Sequence, residues 1–86
     1  MNYSITIEEK ALKHIEYFHK KDKNIVKKIK ELLLEMSSKP FEGSGKPEAL
    51  KFELSGYWSR RITREHRLVY KVIKKEIVVI SCRYHY

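Results

Sequence analysis

Three side chains in this sequence combine acid-base capacity with a permanent cation: Glu48, Arg67 and His85. A strand of RNA is cut by its own 2'-hydroxyl when three conditions are met. A base takes that proton, cations hold the crowded phosphate, and an acid protonates the departing 5'-oxygen. Glu48, at the end of a glycine-containing loop, can serve as the base. Arg67 supplies charge and donors, and His85 is the one histidine expected on the open face of a sheet. This chemistry requires no metal ion and no other cofactor. Taken singly, each residue has a plainer explanation: loop glutamates are usually solvated, strand arginines usually pair with carboxylates, and penultimate histidines usually fray. Only as a set do they describe a reaction.

Other chemistries find weaker support. His14 and His19 lie five positions apart on an expected helix, which is poor spacing for metal ligands, and Cys82 is expected to face the core, so no zinc site is read here. Ser59 has no evident His or Asp partners for acyl transfer. The lone cysteine, Cys82, cannot close an internal disulfide, which fits a reducing compartment. The N-terminal residues Met1 to Thr6 lack the apolar run of a signal peptide. No stretch approaches the roughly 20 apolar residues that cross a bilayer. A soluble, cytoplasmic protein with no membrane partner is the expectation.

Charge narrows the partners. Nineteen Lys and Arg against eleven Asp and Glu leave a formal charge of +8. Such an excess attracts polyanions, so RNA, DNA and acidic proteins are the natural ligands, although a lysine-rich surface also serves solubility alone. A content of 42% hydrophobic residues with three Gly and two Pro describes a globular chain, and 86 residues make one domain, 1–86.

The elements that must position the candidate residues follow from periodicity. Residues 2–7 read as a short strand, and Thr6 with Glu9 has the spacing of a capping box that starts a helix ending near Lys21. Ala11, Leu12, Ile15 and Phe18 share its apolar side. Asp22 is placed to cap a second helix whose core stripe is Ile25, Ile29, Leu32, Leu33 and Met36. Its outward positions, Glu35 among them, read as a solvated face. Ser37-Ser38-Lys39-Pro40 ends it. A surface loop from Phe41 to Ala49 leads to a short strand near 51–54 and then to strands at about 57–63, 66–73 and 76–84, with Lys74-Lys75 as the last turn. The fold class is α+β: two N-terminal helices packed on one face of a twisted, mainly antiparallel sheet.

Alternation assigns the faces. In the last strand Val78, Ile80, Cys82 and Tyr84 are expected in the core, with Ile77, Val79, Ser81, Arg83 and His85 opposite. In the strand before it Leu68, Tyr70 and Val72 point inward and Arg67, Val69 and Lys71 outward. Trp58 and Ile62 inward put Ser59 and Arg61 on the open side and leave Arg60 awkwardly among core residues, a conflict that a bulge or a sheet edge would resolve. Arg61, Arg67 and Arg83 then converge on one face with Tyr57, Tyr84 and Tyr86 nearby. Such forks suit phosphate oxygens, and the rings suit splayed RNA bases.

The block Lys46-Pro47-Glu48-Ala49-Leu50-Lys51, then Leu54-Ser55-Gly56-Tyr57-Trp58-Ser59-Arg60-Arg61-Ile62, then Glu65-His66-Arg67-Leu68-Val69-Tyr70, closely resembles YoeB-type toxins of the RelE superfamily. The terminus Cys82-Arg83-Tyr84-His85-Tyr86 does as well. The likeness runs almost continuously from Pro40 to Val72 and is looser from Asp22 to Leu33. It implies a RelE-like microbial ribonuclease fold. It also implies a toxin of a toxin-antitoxin pair that enters the ribosomal A site and cuts messenger RNA there. On that resemblance Glu48 is the general base, His85 the general acid and Arg67 the phosphate-stabilising group. Glu65 positions these, and Lys51, Arg61 and Tyr86 contact or support the RNA. The implied partners are the ribosome and a YefM-like antitoxin with an acidic tail, and the family also forms homodimers. Two departures stand out: Tyr57, where the family often has Phe, and Arg64, where an acidic residue is common. The competing readings are a basic module that blocks translation without cutting and, last, a DNA-binding repressor, for which no recognition helix follows the second helix.

Overall fold

The computed structural model describes residues 2–84; Met1, His85 and Tyr86 lie outside the described residues. Strand β1 (Ser4–Ile7) leads into helices α1 (Glu9–Lys21) and α2 (Lys23–Met36), followed by β2 (Glu48–Ala49), a single 3-10 turn (Phe52–Leu54), β3 (Tyr57–Arg61), β4 (Arg67–Ile73) and β5 (Glu76–Ser81). The strands form one sheet in the order β1-β5-β4-β3-β2. The pairs β2-β3, β3-β4 and β4-β5 are antiparallel and β1 joins β5 in parallel, so the sheet is mainly antiparallel, as expected.

Local chemistry explains the helices. The Asp22 carboxylate accepts the Asn24 N–H at 3.0 Å, capping the free amides at the start of α2. The α2 stripe is inward: Ile29, Leu32 and Met36 are buried, with Ile25 and Leu33 packed against the same core. From α1, Ala11 and Phe18 join them, whereas Leu12 is 46% exposed and belongs to the surface. The expected capping box does not form. Helix α1 is capped by Glu8 without a side-chain bond, because Thr6 belongs to β1, where its hydroxyl bonds the Glu76 carboxylate.

Two β expectations are corrected. The short strand preceding the hairpins is Glu48–Ala49 and not 51–54; the latter residues make the 3-10 turn, which Phe52 enters with φ 58. In β5 the faces are reversed at Ile77, Val79 and Ile80. Ile77 and Val79 are fully buried core residues, while Ile80 borders a cleft on the open side, which Ser81 lines as expected. The cause is a bulge: Tyr70 pairs with Val79 but Val69 pairs with Ser81, so Ile80 is an extra residue in β5. That extra residue also brings Cys82 inward, where it is fully buried and where it was expected. In β4 the expected faces hold, with Leu68, Tyr70 and Val72 in or against the core.

Candidate functional site

The open face takes its geometry from strand register. Glu48 pairs with Ser59, Ser59 with Val69, and Arg61 with Arg67, so all five side chains lie on the same side of the sheet. The first two candidates meet there. Arg67 Nη1 stands 3.9 Å from Glu48 Oε1, with the arginine side chain 17% exposed and the glutamate 64%. At that distance the pair is an electrostatic contact rather than a hydrogen bond. Arg67 Nε and the Ser59 hydroxyl are buried without a hydrogen-bond partner among the described residues. Buried donors are normally satisfied, so this leftover N–H marks a guanidinium whose donors are not used up by the fold, on a side chain that keeps 17% of its surface exposed on the open face.

Lys51 is exposed and lines, with Glu48, Phe52 and Leu54, a depression of about 270 Å³. Arg61 is exposed beside Arg67, and its backbone N–H donates to Gly45 O at 2.6 Å. Arg83 is half-buried and stacked, its guanidinium carbon 3.7 Å from the Tyr17 ring centroid and 4.7 Å from that of Tyr84. It also borders a cleft of about 310 Å³ with Tyr57, Val69, Ile80 and Ser81. Glu65 is not drawn to Glu48 or Arg67 in any ion pair among the described residues; its carboxylate lies 3.7 Å from His66 Nε2. His85 and Tyr86 fall outside the described residues. Tyr84, just before them, accepts the Arg67 N–H at 3.0 Å, so the described chain ends against the arginine of the site.

Arg60 resolves its conflict by neither a bulge nor an edge. It is fully buried on the helix side of the sheet, where Nη1 contacts Glu35 Oε1 at 2.6 Å and donates to Ser44 O, and Nη2 donates to the Lys39 and Glu42 carbonyls at 2.6 and 2.7 Å. Nε reaches the Tyr70 hydroxyl, which donates to Pro40 O at 2.6 Å. Burial raises the Tyr70 hydroxyl above the ordinary tyrosine range, against the pull of Arg60. Glu35, expected on a solvated face, instead ties this loop down: it accepts the Ser44 N–H at 2.6 Å. That backbone bond, with the Ser44 hydroxyl and Arg60 assisting, lowers its carboxyl below the usual range. Glycine is required here. A Cβ on Gly43, at φ +119, would sit 2.4 Å from Glu35 Oε1, and one on Gly45, at φ +81, would sit 2.9 Å from Arg61 O. The loop that delivers Glu48 is thus pinned from beneath the sheet.

Sequence reasoning also passed over His14 and His66. Each uses Nδ1 to accept a backbone N–H of the terminal segment, from Cys82 at 3.0 Å and from Tyr84 at 2.8 Å. His66 is buried against the Phe18 ring. No sequence signal distinguishes these imidazoles, because their partners are backbone amides. Cys82 beside them is inert: burial pushes its thiol up to about 12. Among the described residues no group of three His, Cys, Asp or Glu could hold a metal ion, and no helix is long and apolar enough to cross a membrane.

Comparison with known proteins agrees with this fold. Residues 7–86 match the family described as YoeB-like toxin of bacterial type II toxin-antitoxin system. Toxin YoeB of Escherichia coli strain K12 is 59% identical over 70 residues, covering 81% of this chain and 83% of the relative. The YoeB dimer structure from Staphylococcus aureus superposes with a TM-score of 0.89 at 48% identity over 100% of both chains. The toxin in a heterotetrameric YoeB-YefM complex from the same organism superposes at 0.88 and 48% identity, again over the whole of both chains.

Proposed function

Because the chain belongs to the YoeB-like toxins of bacterial type II toxin-antitoxin systems, we propose that it is an endoribonuclease. On this reading it cuts messenger RNA in the ribosomal A site and thereby inhibits translation. The observation that carries the proposal is Arg67, half-buried, facing Glu48 at 3.9 Å and holding a buried N–H with no partner among the described residues.

The reaction is a transesterification. Glu48 takes the proton of the 2'-hydroxyl, the freed oxygen attacks the adjacent phosphorus, and the bond to the 5'-oxygen breaks as His85 delivers a proton to it. The products are a 2',3'-cyclic phosphate and a 5'-hydroxyl. Arg67 holds the charge that builds on the phosphate oxygens, and donors placed in advance for that charge contribute most in a site that excludes water. Lys51 and Arg61 flank the pair on exposed ground and suit the RNA backbone. Arg83 and Tyr86 belong to the terminal segment that completes this RNA-binding surface. Glu65 acts at one remove, through His66. No step needs a metal ion or other cofactor.

The open face is small, and the ribosome supplies the rest of the substrate grip. The chain works in the cytoplasm, where ribosomes are. Its +8 charge suits an antitoxin with an acidic tail that folds onto it. The similar Staphylococcus aureus toxin is found with YefM in one structure and as a dimer in another, and the same two assemblies are proposed for this chain.

Purified protein added to ribosomes paused on a defined messenger is the test. The expected result is a cut at the A-site codon with a cyclic or 3'-phosphate end. A halt in translation with the messenger at full length would replace this reading with a binding module that blocks without cutting. Replacing a non-bridging oxygen of the scissile phosphate by sulfur checks the metal-free step: any slowing should not be relieved by a thiophilic cation.

A further inference from the structure

The last described residues are held by imidazoles at two points. Cys82 N–H donates to His14 Nδ1 at 3.0 Å, and Tyr84 N–H donates to His66 Nδ1 at 2.8 Å. Between them Arg83 lies over the Tyr17 ring at 3.7 Å. Tyr84 itself turns with φ 61, a left-handed conformation that is unfavourable for a non-glycine residue and persists only where its surroundings impose it. Its N–H bound to His66 and its carbonyl bound to the Arg67 N–H impose it from both sides. We propose that His14 and His66 are positioning residues, a pair of imidazole acceptors that fix the backbone from Cys82 to Tyr84 and, through the Tyr84 carbonyl, the backbone of Arg67. Resting on the nuclease reading, this assigns them the task of setting Arg67 for the phosphate.

An Nδ1 that accepts must carry no proton, so each imidazole serves only while neutral and protonated on Nε2. Protonation would turn acceptor into donor and set N–H against N–H. Around His14 the charged and titratable groups are Lys10 on its own helix, Arg83 in the terminal segment and His66 across from it. Burial first, and then these cations, lower its pKa below the ordinary histidine value. A folded value depressed below the unfolded one means that the contact is fully present above about pH 6.5 and is lost as pH falls through the folded value. His66 has the Glu65 carboxylate 3.7 Å from Nε2 and the rings of Phe18 and Tyr84 packed on it. At that distance Glu65 is an electrostatic neighbour of the ring and not a hydrogen-bond partner.

The test reads the bonds and the rate separately on the full chain. In nitrogen-15-labelled protein, scalar coupling across an N–H to N hydrogen bond should link the Tyr84 amide to His66 Nδ1 and the Cys82 amide to His14 Nδ1. With ribosomes, His66→Leu should lower kcat on the order of tenfold to a hundredfold, the range that slight misplacement of a reacting group costs, with little change in KM. His66→Asn, whose amide oxygen falls where Nδ1 was and can accept the same N–H, should restore most of the rate. His14→Asn should flatten the part of the loss of rate that sets in below about pH 6.5. Missing couplings in a wild-type protein that cleaves normally would overturn the positioning role alone, as would a folded His66→Leu variant at full rate. If wild type shows the couplings but never cuts, the nuclease reading falls, and the role built on it falls too.

Discussion

Two arginines on opposite faces of the sheet show how one side-chain type serves two ends. Arg60, under the helices, is fully buried and spends its donors on Glu35, three backbone carbonyls and the Tyr70 hydroxyl. Arg67, on the open face, has one contact at 3.9 Å to an exposed carboxylate and a buried N–H with no partner among the described residues. A fully satisfied guanidinium fixes structure, since it has nothing left to offer. An under-satisfied one is held ready for a ligand, at some expense in stability. The difference teaches that partner count, rather than residue type or charge, separates the scaffold from the site.

Substitutions at the two arginines should therefore part company. Arg67→Ala is expected to reduce cleavage on programmed ribosomes by about 10²- to 10³-fold, as loss of an electrostatic donor does. Its melting temperature should stay within a few degrees of wild type. Arg60→Met reverses the pattern. It strands the Glu35 carboxylate and several carbonyls, and should cost about 3 to 5 kcal/mol in urea unfolding. Whatever fraction remains folded should cleave with an unaltered pH profile. A stable Arg60→Met, or a destabilised Arg67→Ala, would erase the contrast.

Glu35→Gln sharpens it further. The folded carboxyl titrates below its usual range, so its contribution is fully present above the unfolded pKa and disappears as pH falls through the folded one. The variant should be less stable than wild type at pH 7, and the two unfolding midpoints should converge as pH drops below about 4.5. A gap that persists at low pH would mean that Glu35 acts by shape rather than by charge. The smallest effect belongs to Asp22→Ala, which removes the cap of α2 and should cost about 1 kcal/mol with no change in cleavage.

Much of this arrangement was legible in the sequence. The α2 stripe, the Asp22 cap and the inward set of β4 follow from period and capping chemistry, which depend on near neighbours alone. Glu48, Arg67 and His85 stand as a set in the sequence, Glu48 on the strength of a resemblance, and register brings the first two within 3.9 Å. What failed to show had non-local causes. The reversed face of β5 comes from Ile80, a bulge that exists only against β4. Thr6 has capping spacing but is claimed by a strand that pairs with β5, far along the chain. Glu35 read as a solvated carboxylate and Arg60 as a cation awkwardly placed among core residues; that placement of Arg60 holds, and the contact at 2.6 Å makes the two an ion pair. His14 and His66 bond backbone amides, which every sequence contains.

The proposed chemistry belongs to the open face. Its most direct test is the cleavage rate of a Glu48→Ala, His85→Ala double variant, confirmed as folded, on ribosomes carrying a defined messenger. Loss of both proton-transfer groups should lower the rate by at least about 10⁴-fold and leave the messenger whole. Cutting at the wild-type rate by that variant would show that the acid and base lie elsewhere.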